Sequence, residues 1–264
     1  MPTKTNWAEA VQPLIKKYKN KRHPLEYNNT YQLLVMVVLS AQDSDRNINN
    51  LAPAFFNAYP DMASLARTNY DDLIHHISKV RNFGNKARWL IETAQKIKTD
   101  KNIPLTMEGL TALAGIGRKS ANVIMRETGT KAVGVIVDLH VVRVAPRLGI
   151  ATGTDPKKIE KQIMDVIPEK YWGQIGMAFS FLGRETCRPT NPKHDECVLS
   201  SVCEYCKERQ GKGMKAVVKE KEKKPVVVKK KVAKTVVKPK AKKTAVTKKK
   251  ATKTKAVAKR KPKK

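Results

Sequence analysis

The chain has 264 residues, enough for one or two compact domains. Its formal net charge of +31 favours a polyanionic partner. No run of 18 apolar residues occurs and no apolar signal core follows the N-terminus, so we expect neither a membrane-spanning helix nor export.

Helical spacing of apolar residues recurs through the first half of the chain. The apolar stretch 33–39 would suit a buried strand by composition, but its length and the preceding Asn28-Asn29-Thr30 cap favour a buried helix. Asp43 or Ser44 is expected to cap the helix that follows. Helices are predicted over residues 7–18, from the 28–30 cap through residue 42, and from the cap at 43–44 to the break at 59–61. Shorter helices are predicted at about residues 62–66 and 70–78, with another after the turn at 80–86.

Residues 110–121 read LTALAGIGRKSA, which predicts two helices joined by a tight hairpin. Gly115 and Gly117 allow a sharp turn and let another molecule approach the backbone closely. The amides of such a hairpin and of the following helix form an anion site, for which a DNA phosphate is the natural ligand. Lys119 falls in the first turn of the second helix. On this pattern alone it is either a phosphate contact or a reactive amine.

The second half of the chain is also expected to be helical. Residues 133–137 form an extended apolar link that ends at Asp138, where a helix begins, and Pro156 and Pro168 each mark a further helix start. Almost nothing predicts a pair of strands. We therefore predict an all-α fold.

All four cysteines fall between residues 187 and 206. In a reducing compartment such clustering favours a metal site over disulfides. The four thiolates, Cys187, Cys197, Cys203 and Cys206, suit either a [4Fe–4S] cluster or zinc.

The C-terminal segment has a different composition. Residues 211–264 contain 24 Lys or Arg, two Glu and no aromatic residue, a formal charge of +22 that leaves +9 for residues 1–210. Such a segment cannot bury enough apolar surface to offset chain entropy, so we expect it to be disordered. Its composition resembles the tails of linker histones, and we expect it to bind nucleic acid through counterion release. A solubilising or membrane-surface tail is the alternative.

Several separated motifs resemble, in their order, the endonuclease III family of bifunctional DNA glycosylases in the helix-hairpin-helix superfamily. They are Leu39-Ser40-Ala41-Gln42, the glycine hairpin with Lys119, the step Val137-Asp138-Leu139-His140, and the cysteines from Cys187 onward. The resemblance covers roughly residues 7–209. It implies two helical domains flanking a DNA cleft, one formed by residues 26–129 and the other by residues 1–25 with 130–210, followed by the tail 211–264.

By the same resemblance, Lys119 and Asp138 are the catalytic residues and face each other across the cleft mouth. A neutral amine attacks the sugar C1′ and forms a Schiff base, after which β-elimination expels the 3′ phosphate. A helix N-terminus and partial desolvation would lower the lysine pKa from its ordinary value of about 10.4. Asp138 would accept a proton and stabilise positive charge, or serve only as a helix cap.

The target base must leave the duplex, and the resemblance implies that Gln42 fills the space it vacates. Asn82 stands where the family usually has a leucine wedge, so the wedge is either weaker or belongs to Val80 or Phe83. DNA contacts are predicted for Gln42, Asn82, Gly115, Gly117, Arg118, His140 and Arg143.

The cysteine spacing departs from the family pattern. His194 stands where the second cysteine belongs, and Cys206 is additional. Either Cys206 supplies the missing thiolate or His194 binds directly. We favour four cysteines holding a structural [4Fe–4S] cluster, with zinc as the alternative.

We therefore expect a monomeric bifunctional DNA glycosylase and AP lyase that excises oxidised pyrimidines and nicks abasic sites in double-stranded DNA. Glycosylases of adenine or mismatch preference are the alternative within the fold, and a non-enzymatic architectural DNA-binding protein is the alternative outside it. The expected location is the cytoplasm in association with the nucleoid, or else the nucleus.

Overall fold

The computed structural model describes residues 5–209, and every regular element within them is helical. The α-helices are α1 (Trp7–Ala10), α2 (Gln12–Tyr18), α3 (Thr30–Ser40), α4 (Asp45–Ala58), α5 (Met62–Ala66), α6 (Tyr70–Ile77), α7 (Phe83–Ile97), α8 (Met107–Thr111), α9 (Arg118–Glu127), α10 (Leu139–Leu148), α11 (Pro156–Val166) and α12 (Trp172–Glu185). Short 3-10 turns occupy Asp100–Asn102, Glu169–Tyr171 and His194–Glu196, and residues 204–209 are helical. The all-α prediction is confirmed.

Short polar side chains begin several helices at the predicted positions. Asn29 caps α3 by accepting a hydrogen bond from the Gln32 amide, and Ser44 caps α4 through the Asn47 amide. Asp155 caps α11 with Pro156 behind it in the first turn. The caps therefore fix where the elements that line the site begin.

Two helix predictions were too long. The helix expected over residues 7–18 is interrupted at Val11, because Pro13 in the first turn of α2 has no amide to continue the ladder. The helix expected to run through residue 42 ends at Ser40, since Gln42 adopts a left-handed backbone with φ 60°. That early end presents Gln42 on a turn.

The core centres on α3, whose residues 33–39 are all buried. This helix packs against α4, α7 and α9, while α12 packs against α2 and α10, and α9 also contacts α12. The described residues belong to one compact unit, so the division into two domains stays a prediction. The Lys-rich segment 211–264, predicted to be disordered, lies outside the described residues. None of the described helices combines the length and apolarity needed to cross a membrane.

Candidate active site

An open cleft of about 1280 Å³ gathers residues that are far apart in the sequence. Its lining includes Gln42, Asp45, Lys119, Asp138, His140 and Arg184. The cleft thus contains both predicted catalytic residues and two of the predicted DNA contacts.

The hairpin between α8 and α9 turns tightly at Gly115 and leaves its backbone accessible at Gly117. Gly115 adopts φ +77° directly on the Trp89 ring, and a Cβ at this position would lie 2.6 Å from the ring carbon Cε3. Gly117 is exposed and begins α9 without a side-chain cap. The first amides of α9 are therefore free of side-chain acceptors, as an anion site requires.

Lys119 lies in the first turn of α9 and lines the cleft. Water reaches the side chain through the open cleft, so it is exposed, although protein atoms surround it on most sides. This partial desolvation lowers the pKa of Lys119, the nearby Asp138 and Asp45 carboxylates oppose the shift, and the Arg184 charge adds to it. The lysine is therefore easier to deprotonate than a free amine.

Asp138 is held by both carboxylate oxygens. Oδ1 caps α10 by accepting hydrogen bonds of 2.9 Å from the amides of His140 and Val141. Oδ2 accepts a hydrogen bond of 2.6 Å from Oγ of Ser180, which is fully buried on α12. These three bonds fix the orientation of the carboxylate beside the cleft.

A salt bridge joins α4 to α12 beside these groups. The Arg184 guanidinium lies 2.8 Å from Asp45 Oδ2, and its Nε donates to Ser180 Oγ at 3.4 Å. Asp45, Arg184, Ser180 and Asp138 therefore form one polar network along the cleft.

A second network ties the link before Asp138 to the hairpin helix. Glu160 is buried, and its Oε1 accepts hydrogen bonds from the Val135 amide at 3.2 Å and Asn122 Nδ2 at 3.3 Å. Arg118 Nε donates to both Glu160 oxygens at 2.9 and 3.0 Å, and its Nη2 donates to the Val133 carbonyl. Arg118 thus makes protein contacts in this state, and its predicted DNA contact stays a prediction.

Arg143 does not itself line the cleft, and its guanidinium is engaged by protein atoms. Its guanidinium donates to the carbonyls of Gly183 at 2.8 Å and Cys187 at 3.2 Å, close to Nδ1 of His140. His140 lines the cleft, where burial lowers its pKa and Asp138 opposes the shift. The DNA contacts predicted for both residues stay predictions, and the observed role of Arg143 is to fasten the end of α12.

The candidate wedge residues lie on two neighbouring turns. Gln42 and Asn82 both adopt positive φ, 60° and 58°, which is costly for residues other than glycine, although less so for asparagine. Asn82 Oδ1 accepts a hydrogen bond of 3.0 Å from Asn85 Nδ2. Of the alternative wedge residues, Val80 is buried whereas Phe83 is 38% exposed. Val80 is therefore not available to insert in this state.

The cysteines lie close together, although they do not converge on one point. Cys203 and Cys206 are buried, Cys187 and Cys197 are half-buried, and all four are free thiols. Burial raises the pKa of Cys197 and of Cys203, and neighbouring thiols add to both shifts. Within residues 5–209, no group of three or more His, Cys, Asp or Glu is placed to hold a metal ion.

His194 provides a test of whether the loop fits a metal group. Its Nε2 is buried with no hydrogen-bond partner among the described residues, and with Cys206 it lines a cavity of about 430 Å³. An orphaned imidazole nitrogen that shares a cavity with the free thiol of Cys206, in the loop that contains the other three thiols, is chemically suited to a metal group. The side chains of this loop are therefore chemically suited to hold a metal group.

Two site residues were missed by the sequence reasoning. Ser180 contacts Asp138, and Asp45 pairs with Arg184. The available signal for Ser180 was one hydroxyl within the otherwise apolar stretch 177–182 of a buried helix. Asp45 had no comparable signal, because an acidic residue in the first turn of a helix is common.

Comparison with known proteins identifies the class that this fold and cleft define. A model of the HhH-GPD superfamily base excision DNA repair protein matches residues 35–169. Endonuclease III of Synechocystis sp. is 35% identical over 206 residues, covering 77% of this chain and 94% of that protein.

Two solved structures agree with this class. A trapped endonuclease III–DNA covalent intermediate has a TM-score of 0.69 at 28% identity, and a non-covalent endonuclease III–DNA complex has a TM-score of 0.69 at 29%. Each alignment covers 76% of this chain and 95% of the solved chain. The chain belongs to the endonuclease III family.

Proposed function

We propose that this protein is a bifunctional DNA glycosylase and AP lyase of base excision repair, which acts on double-stranded DNA containing damaged bases or abasic sites. The observation that carries the proposal is the placement of Lys119 in the cleft, where partial desolvation lowers its pKa, together with Asp138. A similar protein trapped as a covalent intermediate with DNA supports this chemistry. Oxidised pyrimidines are the proposed base substrates.

In the proposed reaction, the neutral amine of Lys119 attacks C1′ of the damaged nucleotide. The base leaves with the electrons of the glycosidic bond and gains a proton, and opening of the sugar ring produces a Schiff base. Loss of a 2′ proton then drives β-elimination of the 3′ phosphate, and hydrolysis releases Lys119. Asp138 receives the proton that the amine gives up and stabilises positive charge near the sugar.

DNA binding would use the hairpin amides for a phosphate and the turns bearing Gln42 and Asn82 for the space left by the extruded base. Gly117 has open space where a side chain would lie and would let the strand approach the hairpin backbone, while Gly115 permits the tight turn against Trp89 that presents its amides. Arg118, His140 and Arg143 are proposed as further contacts, with Arg118 and Arg143 required to exchange protein acceptors for DNA.

The decisive experiment mixes the protein with a duplex containing an abasic site in the presence of borohydride, which reduces a Schiff base to a stable adduct. We expect a covalent adduct that is lost in Lys119→Gln and retained in Lys131→Gln, a control at an exposed lysine paired with Glu169. An intact, folded protein that forms no adduct would instead be an architectural DNA binder. An adduct retained in Lys119→Gln would show that another amine of the protein forms the Schiff base.

The cysteine loop is proposed to hold a [4Fe–4S] cluster with a structural role, ligated by Cys187, Cys197, Cys203 and Cys206. Supporting this, the four thiols are free and close together, and each ligand of such a cluster binds a different iron, so a single point of convergence is not required. When bound, the cluster supplies a rigid cross-link rather than reaction chemistry.

Arg147 already joins this loop to α10. Its guanidinium donates to the carbonyls of Arg188 at 2.7 Å and Pro189 at 3.0 Å, and it lies 3.5 Å from the Cys187 sulfur. The cluster would complete this attachment.

The fourth ligand is tested by comparing Cys206→Ser with His194→Ala after anaerobic purification. We expect iron content and visible absorption to fall in Cys206→Ser and to persist in His194→Ala. The reverse result would assign His194 as the ligand, in keeping with its orphaned Nε2. Zinc in place of iron in the unaltered protein would overturn the cluster assignment.

A further inference from the structure

The turns that carry Gln42 and Asn82 are joined by side chains that the proposed chemistry does not use. We call residues 41–44 and 79–82 the paired turns. Asp43, between α3 and α4, accepts a hydrogen bond of 2.7 Å at Oδ2 from the Arg81 amide. Asn47 Nδ2 donates both to Asp43 Oδ1 at 3.1 Å and to the Lys79 carbonyl at 3.2 Å. Each turn therefore restrains the other.

Lys86 of α7 makes a second connection, to the backbone at the end of α3. The residue is 1% exposed, and its Nζ donates to the carbonyls of Leu39 at 2.7 Å and Ala41 at 2.6 Å. These carbonyls lie at the C-terminal end of α3, where helical partners are missing and the helix dipole favours a cation. Burial lowers the pKa of Lys86, and Asp43 opposes that shift. Lys86 thus fixes the point at which the chain leaves α3 toward Gln42.

The backbone of the paired turns needs such restraint. A left-handed conformation costs roughly 1–2 kcal/mol for a residue with a Cβ, and strained positions persist only where their surroundings hold them. Gln42 and Asn82 both adopt this conformation, with φ 60° and 58°. Asp43 holds the turn next to Gln42 directly against the residue that precedes Asn82.

We propose that Asp43 and Lys86 are positioning residues that lock the paired turns into one pre-formed unit, so that Gln42 and Asn82 enter the duplex together. The proposal rests on the proposed function, because it assigns duplex insertion to these turns. A pre-formed unit avoids the cost of ordering two loops when DNA binds. The effect should therefore appear in the binding of damaged DNA and in base extrusion rather than in Schiff-base chemistry.

The test is a mutant cycle on the affinity for a duplex with a tetrahydrofuran abasic analogue, which cannot be cleaved. We expect Asp43→Ala to raise Kd for this duplex about 10-fold, equivalent to about 1.4 kcal/mol, and to change the affinity for undamaged duplex much less. The loss should disappear in a Gln42→Ala/Asn82→Ala background, because Asp43 would then have nothing to position. Additive losses, or equal losses on undamaged DNA, would overturn the proposal.

Two variants separate positioning from general destabilisation. Asp43→Asn keeps one oxygen that can accept from the Arg81 amide, but its NH2 group cannot accept from Asn47 Nδ2 and the Ser44 amide as Oδ1 does, so it should restore part of the affinity. Lys86→Met fills the same volume without the donors and should weaken binding in the same direction as Asp43→Ala. The control is Asp61→Ala, since Asp61 also accepts from a backbone amide, that of Ser64, in a turn outside the cleft. The affinity of the Asp61→Ala protein for the abasic analogue should be unchanged.

A fluorescent reporter distinguishes this proposal from the proposed function. With 2-aminopurine opposite the lesion, Asp43→Ala should give a smaller or slower fluorescence rise, while borohydride still traps Lys119 on abasic DNA. Failure of the unaltered protein to form the adduct would count against the proposed function. A normal fluorescence rise in Asp43→Ala with the adduct intact would overturn only the positioning role.

Discussion

Ser180 Oγ donates a hydrogen bond of 2.6 Å to Asp138 Oδ2, and Ser180 is fully buried. The other carboxylate oxygen accepts two backbone amides. Asp138 therefore owes its orientation to its own helix and to a hydroxyl on α12, and the two restraints can be removed separately.

Replacement of Ser180 by alanine should lower kcat for nicking about tenfold with little change in KM. A hydrogen bond to a charged group is worth roughly 1.5–3 kcal/mol, and the amide cap on Oδ1 would preserve part of the orientation. Steady-state nicking of abasic DNA over a range of substrate concentrations would measure both constants. Ser64→Ala, at a cap in α5, is the matched control. An unchanged kcat in Ser180→Ala would show that the cap alone orients Asp138.

The pH dependence of adduct formation should report the environment of Lys119. Because partial desolvation lowers the pKa of this amine, its neutral form should appear at lower pH than for a free lysine, and the trapping rate should rise with pH through that lowered pKa. Asp45→Asn removes a carboxylate that raises the pKa and leaves Arg184 unpaired, so the rise should move to lower pH.

Arg184→Gln provides the opposite change. It removes a cation that lowers the pKa of Lys119 and leaves the Asp45 carboxylate unpaired, so the rise should move to higher pH. Single-turnover trapping across the pH range measures both profiles. A shift in the same direction for both variants would contradict an electrostatic origin.

His23 should make the protein sensitive to acid. Burial, aided by the charge of Lys119, lowers its pKa from 6.5 to about 4, and its Nδ1 accepts a hydrogen bond from the Leu25 amide. The unfolded chain therefore binds a proton near pH 6.5 that the folded protein does not. The stabilisation that comes from keeping His23 neutral is therefore fully present above pH 6.5. As the pH falls from 6.5 to about 4, the free energy of unfolding decreases by at most about 1.4 kcal/mol per pH unit.

Urea denaturation across this pH range would measure the loss. His23→Asn retains an acceptor for the Leu25 amide but does not titrate, so its unfolding free energy should fall less steeply. Identical pH slopes for both proteins would assign the acid sensitivity to other groups.

The two hairpin glycines should respond differently to alanine. Gly115→Ala meets both a positive φ and the Trp89 ring, so we expect a loss of about 2–4 kcal/mol in the free energy of unfolding. Gly117 has open space around it and φ −91°, so Gly117→Ala should fold normally. If a phosphate docks on this backbone, Gly117→Ala should still weaken DNA binding severalfold. Normal DNA affinity in folded Gly117→Ala would show that the phosphate does not bind at this hairpin backbone.

Short-range rules were sufficient for much of the fold. The caps at Asn29 and Asp155 and the helix start at Asp138 depend on a side chain two or three residues from its partner, which a single sequence displays. The same locality explains the glycine hairpin and the buried helix over residues 33–39. The break at Val11 also had a local cause, Pro13, which the helical spacing of the apolar residues concealed.

The networks around the site join partners that are distant in the sequence. Ser180 and Asp138 are 42 residues apart, and Lys86 lies 47 residues from Leu39. Lys86 did leave a signal, because it precedes Leu90 and Ala94 at a spacing of four on the buried face of α7. That spacing shows a buried cation, but which carbonyls it satisfies depends on how α3 and α7 pack, which a single sequence does not determine.

Glu160 has a mechanical consequence for a protein of this family. The Glu160 carboxylate accepts hydrogen bonds from Arg118, which precedes Lys119 in the sequence, and from the amide of Val135, three residues before Asp138. A displacement of the hairpin by a distorted duplex would therefore be passed through Glu160 to the segment that leads to Asp138. The amine and the acid would tend to shift as one piece, so that the spacing between them is buffered against the strain of the nucleic acid.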